Sequence, residues 1–205
     1  MSIQQAWPQL PQLPRERYRR FSIDEYHRLI QLGVLHEDDR CELFHGVITS
    51  QIPPNPPHAK TLRQLLRRLP PLLPEPDYIV SVQDPIAILS LPGTEPQPDM
   101  TVCIGPERIY ERRFPSGKDI LLIIEISDTS LFDDRTSKYT LYAAAKIPQY
   151  WIVNLPERQV EVYSRPRGGK TPKFLSRTDY PAGTNLPVIL GRKTLGTIAV
   201  SEILP

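Results

Sequence analysis

Glu125 lies inside the most apolar stretch of the chain, where Ile120 to Ile126 comprises six aliphatic residues and this one carboxylate. A carboxylate buried in such a run costs several kcal/mol unless a cation or strong donors offset the lost hydration. A salt bridge to a lysine or arginine would do so, and so would a metal. A second acid, Asp99, follows Pro98 and directly precedes another apolar run, Met100 to Ile104. Alone, Pro-Asp is a common turn or strand start. Together, two acids on neighbouring strands converge on a pocket of hard oxygen ligands suited to Mg2+ or Mn2+. The backbone carbonyl of Ile126 supplies a third protein oxygen, and water completes the shell. A cation so held lowers the pKa of an attacking water and stabilises the charge of a phosphorane-like transition state. Lys138 falls one connection later, on a predicted helix. From there an ammonium reaches back to the strand end, orients the water and neutralises the phosphate. Taken singly, it reads as a solvated helix lysine.

The elements that must position these groups are legible from periodicity and punctuation. Ser22-Ile23-Asp24-Glu25 is a capping box. It opens a helix of about ten residues with Ile23, Tyr26, Leu29 and Ile30 on its apolar face, closed by Gly33. Cys41 to Ile52, broken at Gly46, predicts a strand pair or a bent strand. Leu62, Leu65, Leu66 and Leu69 recur at helical spacing between His58 and Pro70. Arg63, Arg67 and Arg68 lie off that stripe as candidate contacts to nucleic-acid phosphates. Strands are predicted over Tyr78–Val82, Ile86–Leu89, Met100–Ile104 and Ile120–Ile126. The last has no polar face, so it must be covered on both sides, as at the centre of an α/β sheet. Asp133 or Asp134 is expected to cap a helix running to about Lys146, stopped by Pro148. Tyr150–Leu155 and Gln159–Tyr163 read as a hairpin across Pro156-Glu157-Arg158, and short strands with a last turn follow from Phe174. This order predicts an α/β domain, a mixed sheet with helices against its faces.

Several short blocks follow one another in a specific order: Glu42-Leu43, Gly46, Pro53-Pro54 with His58, Gln83-Asp84-Pro85-Ile86, and Pro98-Asp99-Met100. Asp119 through Ser130, Asp134-Arg135 with Lys138 and Tyr142, and Ile147 through Val153 complete the series. From about Phe21 to Tyr163 the chain thereby resembles the Uma-two family of restriction endonuclease-like proteins, within the PD-(D/E)XK nuclease superfamily. The tail after Arg165 resembles it only loosely. The resemblance implies a restriction-endonuclease-like mixed β-sheet flanked by α-helices. It also implies a Mg2+- or Mn2+-dependent phosphodiesterase acting on DNA, and it makes a homodimer the expected assembly. Asp99 and Glu125 match the two acids. Ser127 stands where the superfamily's lysine is expected, and Lys138 matches the family's displaced lysine. Glu42 matches an N-terminal acid that assists metal or water binding. His58, Gln83 and Tyr142 match recurrent positions near the site. Each also has a plainer reading, as a helix-start histidine, a strand-end amide and a packing aromatic. One departure is His45 before Gly46, where the family commonly has an acid.

The bulk properties are permissive. With 205 residues the chain suits one α/β domain, expected over 21–205 behind a flexible Pro/Arg-rich arm over 1–20. A formal net charge of +2 announces no nucleic-acid binder, so any basic surface must come from local clusters. These are Arg15, Arg17, Arg19 and Arg20; the arginines near Leu65; and Arg165 to Lys173. Cys41 and Cys103 provide neither a disulfide framework nor a Cys-x-x-Cys site, and read as free thiols in a reducing compartment. The N-terminus lacks the apolar core of a signal peptide, and no run approaches the roughly 20 apolar residues that span a bilayer. A soluble, cytoplasmic protein without membrane contact is expected. No Gly-x-Ser-x-Gly and no phosphate-cradling glycine loop is present, which disfavours a serine hydrolase or a nucleotide binder. The remaining alternative is a nuclease-derived fold that binds nucleic acid or a protein partner without cutting. The retained Asp99, Glu125 and Lys138 argue against it, because a binding module gains nothing from a buried acid pair.

Overall fold

The computed structural model describes residues 19–51 and 53–205; Arg15, Arg17 and most of the expected arm lie outside the described residues. The chain opens with α1 (Ile23–Gln31), whose Ser22–Glu25 capping box is formed in both directions. A hairpin, β1 (Cys41–Phe44) and β2 (Val47–Ser50), turns at His45-Gly46, both with positive φ. Next comes α2 (Pro56–Arg68). It begins two residues earlier than its leucine spacing indicates, because the Asn55 side chain caps it and Pro56 and Pro57 occupy the first turn. Proline there forfeits an amide that would have no helical partner anyway.

The central sheet has six strands in the order β3-β4-β5-β6-β7-β8. They are β3 (Tyr78–Ser81), β4 (Met100–Ile104), β5 (Ile120–Ser127), β6 (Gln149–Asn154), β7 (Gln159–Arg167) and β8 (Lys173–Pro181). Every adjacent pair is antiparallel except β5–β6. A parallel pair needs a crossover from the end of one strand to the start of the next. Here it comprises α3 (Leu131–Asp133), a π-helical turn (Asp134–Lys138) and α4 (Tyr139–Ala144). A second hairpin, β9 (Asn185–Leu190) and β10 (Lys193–Ala199), completes the chain before a final 3-10 turn.

As its composition requires, β5 is interior to the sheet and covered on both faces. Leu122, Ile124 and Ile126 join one core with Leu65 and Leu69 of α2 and Leu186, Val188 and Ile198 of the β9–β10 hairpin. Ile123 joins the other with Leu141, Tyr142 and Ala143 of α4, Tyr150, and Ile86 and Ile88. Among the described residues no helix is long and apolar enough to cross a membrane.

Three expectations are corrected. Ile86–Leu89 is not a strand: Ile86 and Ile88 are buried, but their amides bond to Pro96 and Thr94 carbonyls in a loop folded back on itself. The crossover helix starts at Leu131 and ends at Ala144, and Asp134 is buried within it rather than capping it. The tail holds three regular strands instead of short ones.

The packing of α2 makes a stability prediction. Leu65 is fully buried whereas Leu66, on the same predicted stripe, is 39% exposed. Leu65→Ala should cost about 2–5 kcal/mol in urea unfolding, and Leu66→Ala about 1 kcal/mol or less. Equal losses would show that α2 is docked on a different face.

Candidate active site

The carboxyl end of β5 is where the chemically competent residues gather. The β4–β5 register pairs Met100 with Ile124, so Asp99 falls across from Glu125. The amide of Ile126 donates to Asp99 Oδ2 at 2.8 Å, and His58 Nε2 lies 3.0 Å from the same oxygen. His58 reaches there from the first turn of α2, held in place by the Asn55 cap on its amide. The β1–β2 hairpin contributes Glu42, whose Oε2 accepts the Gln97 amide at 3.1 Å. From the π-turn, Lys138 Nζ lies 3.0 Å from Glu125 Oε2 and 3.4 Å from Asp134 Oδ1. Behind them the buried Tyr142 hydroxyl donates to Glu125 Oε1 at 2.7 Å.

Glu42, His58, Gln83, Asp99, Glu125, Ile126 and Lys138 thus line one cavity of about 450 Å³. Tyr142 is not on its wall; it orients Glu125 from within the core. Gln83 sits in the left-handed region (φ 54°), its amide on the Asp99 carbonyl at 3.3 Å. Arg63, Arg67 and Arg68 are not brought into the cavity. Arg63 and Arg67 are exposed further along α2, and Arg68 Nε lies 3.3 Å from Glu202. Sequence reasoning missed Asn55 and Asp128, which bond at 2.6 Å on the cavity wall, and the buried Asp134. Two signals were available: Asn-Pro-Pro, a cap followed by first-turn prolines, and the four-residue spacing from Asp134 to Lys138.

Burial governs the electrostatics. It pushes the Glu125 carboxyl up to about 8; Lys138 opposes the rise, Asp134 and Asp99 add to it, and the Tyr142 hydroxyl opposes it. Burial works against the Lys138 ammonium, but the carboxylates of Glu125, Asp134 and Glu42 outweigh it and hold its proton more firmly than in free lysine. Among the described residues around the cavity, the acids Glu42, Asp99, Glu125, Asp128 and Asp133 stand against Arg40 and Lys138. This excess of acids over cations disfavours an incoming phosphate unless further positive charge joins them.

The donor set fits a hard divalent cation. Asp99 Oδ2 is engaged by His58 and the Ile126 amide, which leaves Oδ1. A strand residue directs its N–H and C=O to the same edge, so the Ile126 carbonyl faces the side on which its amide meets Asp99. Among the described residues no three His, Cys, Asp or Glu side chains group closely enough to hold a metal by themselves. Mg2+ and Mn2+ take one or two protein carboxylates and keep several waters, and Asp99, Glu125 and the Ile126 carbonyl are donors of that kind on one cavity wall.

Comparison with known proteins bears on the family and the fold. Residues 23–188 match the Uma2 family, described as "Putative restriction endonuclease". The match continues past Tyr163, where the recognisable blocks end, into β9. A crystal structure of a "putative nuclease belonging to DUF820" from Anabaena variabilis ATCC 29413 superposes with a TM-score of 0.65 at 15% identity. It covers 89% of this chain and 97% of that one, and it shows that the fold is shared. No curated protein matches.

The raised Glu125 carboxyl sets a pH dependence. A carboxyl with a higher pKa folded than unfolded stabilises the fold below its unfolded value, and that contribution is lost as pH rises through the folded value. Without added metal, the wild-type thermal midpoint should therefore fall relative to that of Glu125→Gln between about pH 5 and about pH 9. Parallel profiles for the two proteins would refute the assignment of a raised carboxyl to Glu125.

Proposed function

The chain belongs to the Uma2 family, and from that premise we propose that it is a metal-dependent endonuclease hydrolysing DNA phosphodiester bonds with Mg2+ or Mn2+. The observation that carries this reading is the contact of Lys138 with Glu125, beside Asp99, in a cavity lined by more acids than cations.

Asp99, Glu125 and the Ile126 carbonyl would hold the cation. When bound, it supplies a water of lowered pKa and positive charge against the scissile phosphate. The chain's own residues prepare both partners. His58 and the Ile126 amide fix the Asp99 carboxylate, and Tyr142 fixes that of Glu125, so neither acid has to reorganise as charge develops. Lys138 presents its ammonium to the attacking water and to a non-bridging phosphate oxygen. Glu42, also on the cavity wall, assists in orienting water. Arg63 and Arg67, exposed on the helix that carries His58, would contact backbone phosphates beyond the cleaved bond, with Arg68 joining them on release from Glu202. Two copies related by a two-fold axis would present one site to each strand of a duplex; light scattering that finds only a monomer on DNA would count against that assembly.

The direct test is cleavage of plasmid, single-stranded and branched DNA with Mg2+ or Mn2+. Wild type should cut at least one of them, and Glu125→Ala or Asp99→Asn should lower the rate by about 100-fold or more. Lys138→Ala should slow single-turnover cleavage comparably while leaving DNA affinity nearly unchanged. Arg63→Ala and Arg67→Ala should instead weaken binding to every sequence, each flattening the salt dependence by roughly one log unit. Wild-type protein that binds DNA but cuts none of these substrates would overturn the reading.

A further inference from the structure

Lys138 has two buried carboxylates beside it where one would neutralise it. Glu125 Oε2 is 3.0 Å from Nζ and Asp134 Oδ1 is 3.4 Å away; the two residues are 2% and 1% exposed. A second buried acid on a single lysine is a cost to the fold rather than a gain, because each carboxylate gives up its hydration and only one opposite charge is shared between them. Asp134 is nonetheless built into its place with care. Its Oδ2 accepts the Ser127 hydroxyl at 2.6 Å and the Ser130 hydroxyl at 2.7 Å. Its backbone carbonyl accepts the Tyr150 hydroxyl at 3.1 Å. The next residue, Arg135, is bonded to both Glu157 and Glu161, which fixes the π-turn from the opposite side. Only Oδ1 lacks a hydrogen-bond partner among the described residues, and it is this oxygen that faces Lys138.

We propose that Asp134 is a positioning residue that keeps the Lys138 ammonium in the site when Glu125 gives its oxygens to a ligand. This rests on the nuclease reading for its purpose, though not for its geometry. In the resting arrangement Glu125 holds the lysine at hydrogen-bond distance and Asp134 stands slightly further off. Once a cation draws on Glu125, the ammonium would lose its nearer partner and, with four flexible carbons behind it, swing away. Asp134 supplies the second hold, and its carboxylate is prevented from following because two serine hydroxyls tie its other oxygen down. Ser127 thereby acquires a role. It stands two residues after Glu125, where a lysine would enter the site directly. Here its hydroxyl anchors the acid that steadies a lysine arriving from the crossover instead. The strand end, the acid and the lysine form one chain of contacts, Ser127–Asp134–Lys138–Glu125.

Two measurements test this. The first is a double-mutant cycle on single-turnover cleavage. Asp134→Asn should slow the wild-type protein by roughly tenfold or more at nearly unchanged DNA affinity, yet change the Lys138→Ala variant by less than about threefold. Equal slowing in both backgrounds, or in neither, would overturn the proposal. The second needs no activity: the ammonium resonance of Lys138 in ¹⁵N-labelled protein, assigned by its loss in Lys138→Ala. It should persist in Glu125→Gln, where the nearer charge is removed, and disappear through fast exchange with water in the Glu125→Gln, Asp134→Asn double variant. Disappearance in Glu125→Gln alone, or persistence in the double variant, would overturn it. If wild type cuts nothing while the resonance behaves as expected, the nuclease reading falls and the positioning role stands.

Discussion

The contact between Glu125 and Lys138 is the interaction on which the rest of this structure depends. A strand covered on both faces has no water to offer a carboxylate, so the charge must be met by a partner delivered from elsewhere in the chain. The partner is a lysine whose own burial would be unfavourable without acids around it. Each group offsets part of the other's burial, and removing Lys138 leaves Glu125 and Asp134 buried without the cation they share. Tyr142, Asp99 and Asp134 are arranged about this pair. Their positions follow from what β5 and the crossover must do to bring it together.

Topology explains why the pair sits at the end of β5. Only one of the five strand pairings in the central sheet is parallel, and it alone demands a crossover over the sheet face. The crossover leaves from the carboxyl end of β5, so its first turns lie directly above that end. A lysine eleven residues beyond Ser127 thus returns to a point beside Glu125. The antiparallel partner on the other flank, β4, begins where β5 ends, which delivers Asp99 from the opposite side. One parallel and one antiparallel neighbour suffice to converge two acids and an ammonium from three distant stretches of sequence.

Much of this is legible in the sequence, and what is not has physical causes. Six aliphatic residues around Glu125 implied burial on both faces, and the Ser22 capping box and the leucine spacing of α2 implied their helices. The convergence of Asp99 with Glu125 was an inference from type and order, since only the register makes them neighbours. Asp134 was hidden because an acid shortly before a helical run has the look of a cap, and its burial follows from serine hydroxyls that sequence does not mark. Ile86–Leu89 misled because alternating burial satisfies a folded loop as well as a strand. The tail strands were obscured by polar residues: β8 exposes Lys173, Leu175, Arg177, Thr178, Asp179 and Pro181, which weakens any period-two signal. Glu42, His58 and Gln83 gained their place in the cavity from resemblance rather than from any pattern in this sequence.

That same β8 has a bearing on how the molecule avoids its neighbours. It is nine residues long and lies at the border of the sheet, the kind of open backbone ladder that recruits strands from other chains and seeds aggregates. Its exposed charges, Lys173, Arg177 and Asp179, and its closing Pro181 make that ladder a poor template, since a docking strand would strip water from the ions and meet a residue with no amide to offer. The opposite border, β3, guards itself by brevity, with four residues. Both margins of the sheet thus carry features that disfavour its continuation into a second chain.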